Sequence, residues 1–345
     1  MRILVTGGAG FIGSTFVRRR LAATQDTIVV LDKLTYAGNP ANLADLDPGR
    51  VRLVRGDIAD GPLVDELARE VDAIVNFAAE SHVDRSILDP DAFLRTGVLG
   101  VHRLLEAART ERDRRGTGSR YRFVQVSTDE VYGPVPEGRS REDDPIRPSS
   151  PYSAAKAAGE HLVRAWHETW GLDACITRGA NTYGPRQHPE KLIPLFITNA
   201  ILDAPLPLYG DGMQRRDWLH VDDHADAVGV VLDRGVSGLA YNVSGDGEER
   251  PNRAVTEAIL AQLGKPWSLV RSVPDRPGHD RRYALDGSRL RALGWEARVP
   301  FAAGLAATVD WYRENAAWWQ AVRSGDWDDY YRRQYGWRLE GSAPA

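Results

Sequence analysis

The chain has 345 residues, with 44 Lys and Arg against 48 Asp and Glu, for a formal net charge of -4. At roughly 150 residues per domain this length predicts about two domains and excludes a single small module. Without a basic surplus to displace counterions from phosphates, a bulk nucleic-acid binder is excluded as well.

From the N-terminus, the apolar run Ile3 to Val5 meets glycine too soon for a signal-peptide core. No apolar run approaches the roughly 20 residues that cross a bilayer, so a soluble, cytoplasmic protein is expected. The same run reads as a strand leading into Thr6-Gly7-Gly8-Ala9-Gly10-Phe11-Ile12-Gly13 and then a helical pattern through Leu21. Gly8, Gly10 and Gly13 are assigned the tight turn, the close backbone approach to a pyrophosphate and the helix-to-strand packing, while the helix start offers free N–H groups to the anion. A second apolar run, Ile28 to Leu31, ends at Asp32, 19 residues after Gly13. A carboxylate there accepts hydrogen bonds from an adenosine ribose and repels a 2′-phosphate, which predicts NAD rather than NADP.

Further Val- and Ile-rich runs follow at Val51 to Val54, Ala73 to Phe77 and Phe123 to Val126, separated by helical stretches. Continuous apolar runs at this spacing are those of parallel strands buried on both faces, so the fold class is α/β, a doubly wound Rossmann parallel sheet. Gly56-Asp57-Ile58, after the third run, is placed to edge an adenine, although a surface turn looks the same. Cys175 is the one cysteine; it excludes an intramolecular disulfide framework and a Cys-cluster metal site, and no metal is expected.

Two segments carry the chemistry. Ser127-Thr128-Asp129-Glu130-Val131-Tyr132-Gly133 follows the Phe123 to Val126 strand, at the sheet edge where ligands of open α/β folds bind. Tyr152 and Lys156 lie four residues apart at the start of a helix and share one face of it. An ammonium beside a phenol lowers the phenol pKa from about 10, so that a phenolate can take a hydroxyl proton, as alcohol oxidation by NAD requires. Alternatively, Lys156 hydrogen-bonds the nicotinamide ribose.

After residue 185 prolines and aromatics dominate, and six of the ten tryptophans follow residue 294. These predict a compact C-terminal lobe built around large rings; an exposed aromatic surface for a partner is the alternative. Ala225 to Leu232 reads as a helix returning to the first domain. The predicted division is an NAD domain over 1–185 with a returning segment near 218–240, a smaller discontinuous lobe over 186–217 and 241–335, and mobile stretches at 114–119 and 340–345.

The glycine motif, Asp32, Ser127-Thr128 and the Tyr152/Lys156 pair resemble the extended short-chain dehydrogenase/reductases that act on nucleotide sugars. More narrowly, Asp32 to Asn39, Ala78 to Ser86, Ser127 to Gly133, Pro189 to Pro194 and Asp275 to Asp280 resemble the dTDP-glucose 4,6-dehydratases, over roughly residues 1 to 320. The resemblance implies oxidation at carbon 4 of the sugar, elimination of water across carbons 5 and 6, and hydride return to carbon 6. Tyr152 would take the 4-hydroxyl proton, supported by Lys156 and Thr128. Glu130 would take the carbon-5 proton as base, and Asp129 would protonate the leaving 6-hydroxyl. Two adjacent carboxylates take opposite roles only if their environments separate their pKa values; a 4-epimerase needs the Tyr and Lys but not this dyad, and outside a site the dyad is merely a solvated turn.

The same resemblance assigns Gly7, Phe11, Ile12, Asp32, Lys33, Thr35, Asp57, Ile58, Ala78, Ala79, Thr96, Tyr152, Lys156 and Thr182 to NAD. It assigns Ser81 and Asn181 to the hexose, Lys191, Leu192, Pro207 and Tyr209 to the nucleoside and diphosphate, and Arg216, Asn252, Arg276 and His279 to the phosphates. Two positions depart from the family's pattern. Thr182 replaces the second Asn of an Asn-Asn pair, and Gly97 replaces the Asn after Thr96; the run Asn181 to Pro185 also resembles nucleotide-sugar decarboxylases. A 4-epimerase, a decarboxylase and a non-catalytic NAD-binding regulator are the rival readings. The apolar stripes near Val98 to Ala108 and after Tyr152 (Ala154, Ala157, Ala158, Leu162, Ala165, Trp166) predict, through the resemblance, a homodimer paired by four helices.

Overall fold

Each Val- and Ile-rich run of the first half forms a strand. In the computed structural model, which describes residues 1–116, 120–275, 278–324 and 326–340, β1 (Arg2–Thr6), β2 (Thr27–Asp32), β3 (Val51–Arg55), β4 (Ala73–Asn76), β5 (Arg122–Thr128) and β6 (Asp173–Gly179) lie in one parallel sheet. A seventh strand, β7 (Ala240–Val243), completes it, in the order β7-β6-β5-β4-β1-β2-β3. The order reverses between β1 and β4, which opens a crevice beyond their C-terminal ends.

The side-chain period of two assigns each strand residue to a face. Ile3, Val5, Ile28, Val30, Val75 and Val124 pack on one side with Phe16, Val17, Val228 and Val231 of helices Phe11–Ala23 and Val221–Arg234. Leu4, Leu31, Ile74 and Phe123 pack on the other with Val64, Leu104 and Val163 of helices Gly61–Arg69, Val101–Arg115 and Pro151–Trp170. Sequential side chains pointing to opposite faces give both faces an apolar layer, as parallel sheets require. The edge strand β3 is only half-buried, so the reading of strands covered on both faces fails there. At the crevice, a buried ladder ties three strand ends: Thr6 Oγ1 donates to Asn76 Oδ1 at 2.5 Å, and Asn76 Nδ2 donates to Gln125 Oε1 at 2.9 Å.

Ala225 to Leu232 lies within the helix Val221–Arg234, which packs on the first sheet face, and β7 carries the return as far as Val243. The remaining elements include a three-stranded sheet (Glu249–Pro251, Arg215–His220, Asn181–Tyr183), a two-stranded one (Val270–Val273, Leu206–Tyr209) and helices Leu192–Ile201, Asn252–Leu263 and Phe301–Glu314. Trp319 and Trp327 are buried in their shared core with Tyr183, Tyr312 and Tyr335, whereas Trp295 packs instead with the first sheet face.

The helix Pro151–Trp170 is fixed at both ends. Ser150 and Ser153 form a reciprocal capping box, Pro151 occupies the first turn where its missing N–H costs nothing, and Gly171 closes the helix in the left-handed conformation at φ 67°. Halfway along, Glu160 meets Arg178 of β6 at 2.7 Å, with both side chains fully buried. Arg178 also donates to Tyr132 Oη at 2.5 Å, joining this helix, β6 and the turn after β5. Removing one partner leaves a buried charge without compensation, so Arg178→Met is expected to lower unfolding free energy by about 3–5 kcal/mol, and adding Glu160→Leu to recover much of it. Urea titration of the three proteins measures both.

Candidate active site

The crevice holds a cavity of about 320 Å³ that runs from the glycine turn to the end of β5 and on to the segment 187–193. At the chemical end, Thr128 is the last residue of β5 and opens the short turn Asp129–Tyr132. Its Oγ1 accepts from the Glu130 N–H at 3.3 Å and donates to Asp129 Oδ1 at 3.2 Å. Asp129 is buried, and burial, reinforced by the charge of Glu130, pushes its carboxyl up to about 8. It is therefore protonated at neutral pH, as a general acid must be. Glu130 lines the same cavity and is less buried.

Tyr152 and Lys156 are also buried in this wall, but not in the relation the sequence predicts. Lys156 Nζ donates to the main-chain oxygen of Val126 at 2.7 Å, and burial draws its ammonium down to about 8. The Tyr152 phenol is raised, not lowered: burial dominates, Glu130 and Asp129 add to it, and a hydrogen bond with Thr128 opposes them. The expected lowering by Lys156 is corrected accordingly. In a dry site, burial penalises the phenolate, and the lysine is already engaged on β5.

At the nucleotide end, the left-handed turn residue is Gly7, at φ 68°, and an added Cβ there would lie 2.6 Å from the Ala78 nitrogen. Gly8, expected to make that turn, instead packs under Val30 and lies outside the cavity wall. Gly13 sits where a Cβ would come within 2.3 Å of the Gly7 oxygen. Gly7, Gly10, Phe11, Ile12 and Gly13 line the cavity at the start of the helix Phe11–Ala23, a bare backbone cradle suited to a pyrophosphate. Asp32 lines it too, and braces the turn by accepting from Ala9 N at 2.9 Å and Leu34 N at 2.8 Å. Thr35, Ile58, Ala78, Ala79 and Thr96 complete this wall, with Lys33 paired to Asp57 at 3.0 Å.

At the far end stand Ser81, Asn181, Thr182, Lys191 and Leu192, with Lys191 Nζ donating to the Ser81 oxygen at 2.6 Å. Both departures from the family's pattern have visible surroundings. Thr182 Oγ1 donates to the Ala180 oxygen at 3.0 Å and meets His224 Nδ1 at 2.8 Å. Gly97 faces helix Pro151–Trp170, where a Cβ would lie 3.1 Å from Ala155 Cβ, so an Asn side chain there requires that helix to stand farther off.

The structure does not bring Pro207, Tyr209, Arg216, Asn252 or His279 into the cavity wall. Tyr209 donates to Asp84 at 3.1 Å, His279 bonds Asp275 at 2.6 Å, and Arg216 donates to the Asp280 oxygen at 2.9 Å while its charge reaches Asp129. Asn252 is buried at the start of Asn252–Leu263, and Pro207 lies in the strand Leu206–Tyr209. Tyr209, Arg216 and His279 are drawn into hydrogen bonds of their own, whereas the Asn252 Oδ1 is buried without a partner. Arg276 lies outside the described residues, as do 117–119 and 341–345 of the stretches expected to be mobile.

Sequence reasoning missed Glu80, Gln187, His188, Glu190, Trp218 and His224, all in the cavity wall. Glu80 and Glu190 directly precede Ser81 and Lys191 in the motif segments, but adjacency does not reveal which way a loop side chain turns. Among the described residues, no group of three or more His, Cys, Asp or Glu side chains is placed to hold a metal ion, and no helix is long and apolar enough to cross a membrane.

Comparison with known proteins agrees with this geometry. Residues 4–308 match the family model of GDP-mannose 4,6 dehydratase. A dTDP-glucose 4,6-dehydratase of Streptomyces niveus is 54% identical over 333 residues, covering 94% of this chain and 97% of its own. The dTDP-glucose 4,6-dehydratase 1 of Escherichia coli K12 is 44% identical over 360 residues, covering 97% and 99%. Among solved structures, the dTDP-glucose 4,6-dehydratase DesIV of Streptomyces venezuelae, with NAD and dTDP bound, matches at TM-score 0.88 and 53% identity over 93% of this chain and all of that one. A UDP-glucose 4-epimerase of Thermus thermophilus in complex with NAD matches at 0.83 and 36% over 91% of this chain and all of that one. With a backbone cradle at the crevice, a protonated Asp129 beside Glu130 and relatives of this identity over nearly the whole chain, the protein belongs to the GDP-mannose 4,6 dehydratase family and, within it, to the dTDP-glucose 4,6-dehydratases.

Proposed function

We propose that this chain converts dTDP-glucose to dTDP-4-keto-6-deoxyglucose and water, with NAD as its cofactor. The observation that carries this reading is the dyad Asp129-Glu130 in one cavity with Tyr152, burial raising the aspartic acid to about 8. The wall fits NAD because a side chain at Gly7 or Gly13 would collide with main-chain atoms of the cradle, and because Asp32 ends β2 where a ribose would lie. Held there, NAD would supply a reversible hydride acceptor for the sugar and a positive charge that would favour the Tyr152 phenolate.

This chain's own groups do the rest. Tyr152 takes the 4-hydroxyl proton, with Thr128 hydrogen-bonded to it and Lys156 behind it fixing a cation in the wall. Once carbon 4 is a ketone, the proton on carbon 5 is acidic and Glu130 removes it, while Asp129 gives its proton to the departing 6-hydroxyl. Burial excludes water that would compete for these protons and strengthens each charge interaction. Ser81 and Asn181 face the hexose, and Lys191 and Leu192 meet the nucleoside and diphosphate. Pro207, Tyr209, Arg216, Asn252, Arg276 and His279 are assigned to the nucleoside and phosphates by the family resemblance alone, since the five of them that are described stand outside the cavity wall.

In this reading residues 1–185 with the returning segment, which β7 extends to Val243, form the NAD domain, and 186–217 with 244–335 form the nucleotide-sugar lobe of a soluble, cytoplasmic enzyme. The exposed Leu88, Leu94, Leu99 and Trp170 beside helices Val101–Arg115 and Pro151–Trp170 support a homodimer through these helices. Light scattering is expected to give twice the mass of one chain; a monomer at micromolar concentration overturns the dimer. The epimerase similarity supports a second reading, and product mass separates the two, since only dehydration loses one water. With dTDP-glucose the product is expected to be lighter by one water, and Tyr152→Phe is expected to cut kcat by about 10²–10⁴.

The proton on Asp129 sets a pH limit as well. The acid form is present below about 8 and is lost above it, so kcat for dehydration is expected to fall as pH rises through about 8. Asp129→Asn has no proton to give at any pH and is expected to lose activity throughout. A pH–rate profile of both proteins tests this, and an Asn variant with normal kcat removes Asp129 as the acid.

A further inference from the structure

Behind the sugar end of the cavity four separate chain segments meet at one guanidinium. Arg85, from the short helix Val83–Leu88, lies between two rings, 3.9 Å from the centre of Tyr36 and 4.2 Å from that of Tyr330. Its Nε donates to Glu190 Oε2 at 2.8 Å. Tyr36 follows Thr35 of the cofactor wall, Glu190 precedes Lys191 of the substrate segment, and Tyr330 belongs to the C-terminal helix Asp326–Tyr331. Arg85 itself does not line the cavity, whereas Glu190 does, and its other oxygen, Oε1, is buried with no hydrogen-bond partner.

We propose that Arg85 is a positioning residue for the reaction, held against the rings of Tyr36 and Tyr330 so that it fixes the Glu190 carboxylate as an oriented anion in the cavity wall. This rests on the dehydratase reading for what the cavity turns over, but not for the clamp. A guanidinium within cation–π reach of two rings is held in place by both, and its Nε carries the bond to Oε2. With Oε2 held, the carboxylate keeps one orientation in the cavity wall, its Oε1 a buried acceptor without a partner. The clamp also places the C-terminal helix in the site's architecture, because Tyr330 is one of its two jaws and also approaches His82 Nδ1 at 3.3 Å.

The electrostatics agree with the geometry. Burial opposes a charge on Glu190, but His82, His188, Arg85 and Lys191 outweigh it and hold the carboxyl at about 2. Glu80, Tyr36 and Tyr330 are the remaining titratable groups that feel Glu190. Histidines lose charge as pH rises, so Arg85 and Lys191 are the permanent cations of this set, and of the two, Arg85 is the one bonded to the carboxylate through Nε.

The test compares Arg85→Met, Arg85→Lys, Glu190→Gln and the double variant Arg85→Met/Glu190→Gln with the unmutated enzyme, measuring retained NAD, kcat and KM. Arg85→Met is expected to lower kcat at least tenfold, with NAD content unchanged and KM changed less than kcat. Arg85→Lys, which keeps the charge, is expected to restore kcat to within about threefold of the unmutated enzyme. The double variant leaves no buried charge unpaired, so it folds even where Arg85→Met does not. It is expected to match Glu190→Gln within about twofold. An unchanged kcat in Arg85→Met, or a further tenfold loss in the double variant over Glu190→Gln, overturns the proposal. Failure of the dehydratase reading shows separately, as no water lost from dTDP-glucose by the unmutated enzyme; the variants are then compared on the nucleotide sugar it does turn over.

Discussion

Burial of the end of β5 is the constraint on which the chemistry of this molecule depends. Asp129, Tyr152, Lys156 and His224 surround that point, and burial is the largest influence on each. It raises the two acids and lowers the two bases, which is the same physical effect acting on groups of opposite charge type. A wet cleft would leave Asp129 ionised and the dyad without an acid. The burial itself comes from the sheet: β5 lies centrally between β4 and β6, every one of its residues is buried, and helix Pro151–Trp170 covers its end.

Rigidity at that point is built from polar groups as much as from apolar ones. The Thr6–Asn76–Gln125 ladder holds three strand ends in register, and Arg178 with Glu160 and Tyr132 ties the helix that carries Tyr152 and Lys156 to β6 and to the turn that carries Asp129. Each of these networks satisfies buried donors that would otherwise destabilise the core, and each fixes a catalytic element at the same time. Asp32 works in the same way at the other end, bracing the glycine turn through Ala9 while lining the cavity. The Arg85 cluster extends the pattern to the substrate end.

Much of the site is legible in the sequence because its parts lie in short contiguous segments with fixed local geometry. Gly7 to Gly13, Asp32, Thr128 to Glu130 and the Tyr152/Lys156 pair supply the cavity wall, but Gly8 stays outside it and its neighbour Gly7 takes the left-handed turn. What sequence reasoning gets wrong concerns environment. Spacing alone has Lys156 lowering the Tyr152 phenol, but whether an ammonium faces a phenol or a main-chain oxygen is decided by how the helix sits on β5. The phosphate-side set around Arg216 and His279 forms its own contacts away from the cavity wall, and Glu190 and His224 enter that wall from loops and a helix start that carry no periodic signal.

By itself, the sequence determined the parallel sheet, the glycine turn, and the membership of Asp32, Asp129, Glu130 and Tyr152 in one crevice. Those follow from periodicity and from spacing within a few residues, which local geometry converts directly into structure, whereas the roles of acid and base came from the family resemblance. Tertiary structure alone decided the protonation of Asp129, the engagement of Lys156 with Val126, the strand β7 that closes the sheet, and the meeting of Tyr36, Arg85, Glu190 and Tyr330. The physical reason is common to all four: burial and long-range contact depend on residues tens to hundreds of positions apart, and no local pattern records which of them will exclude water together.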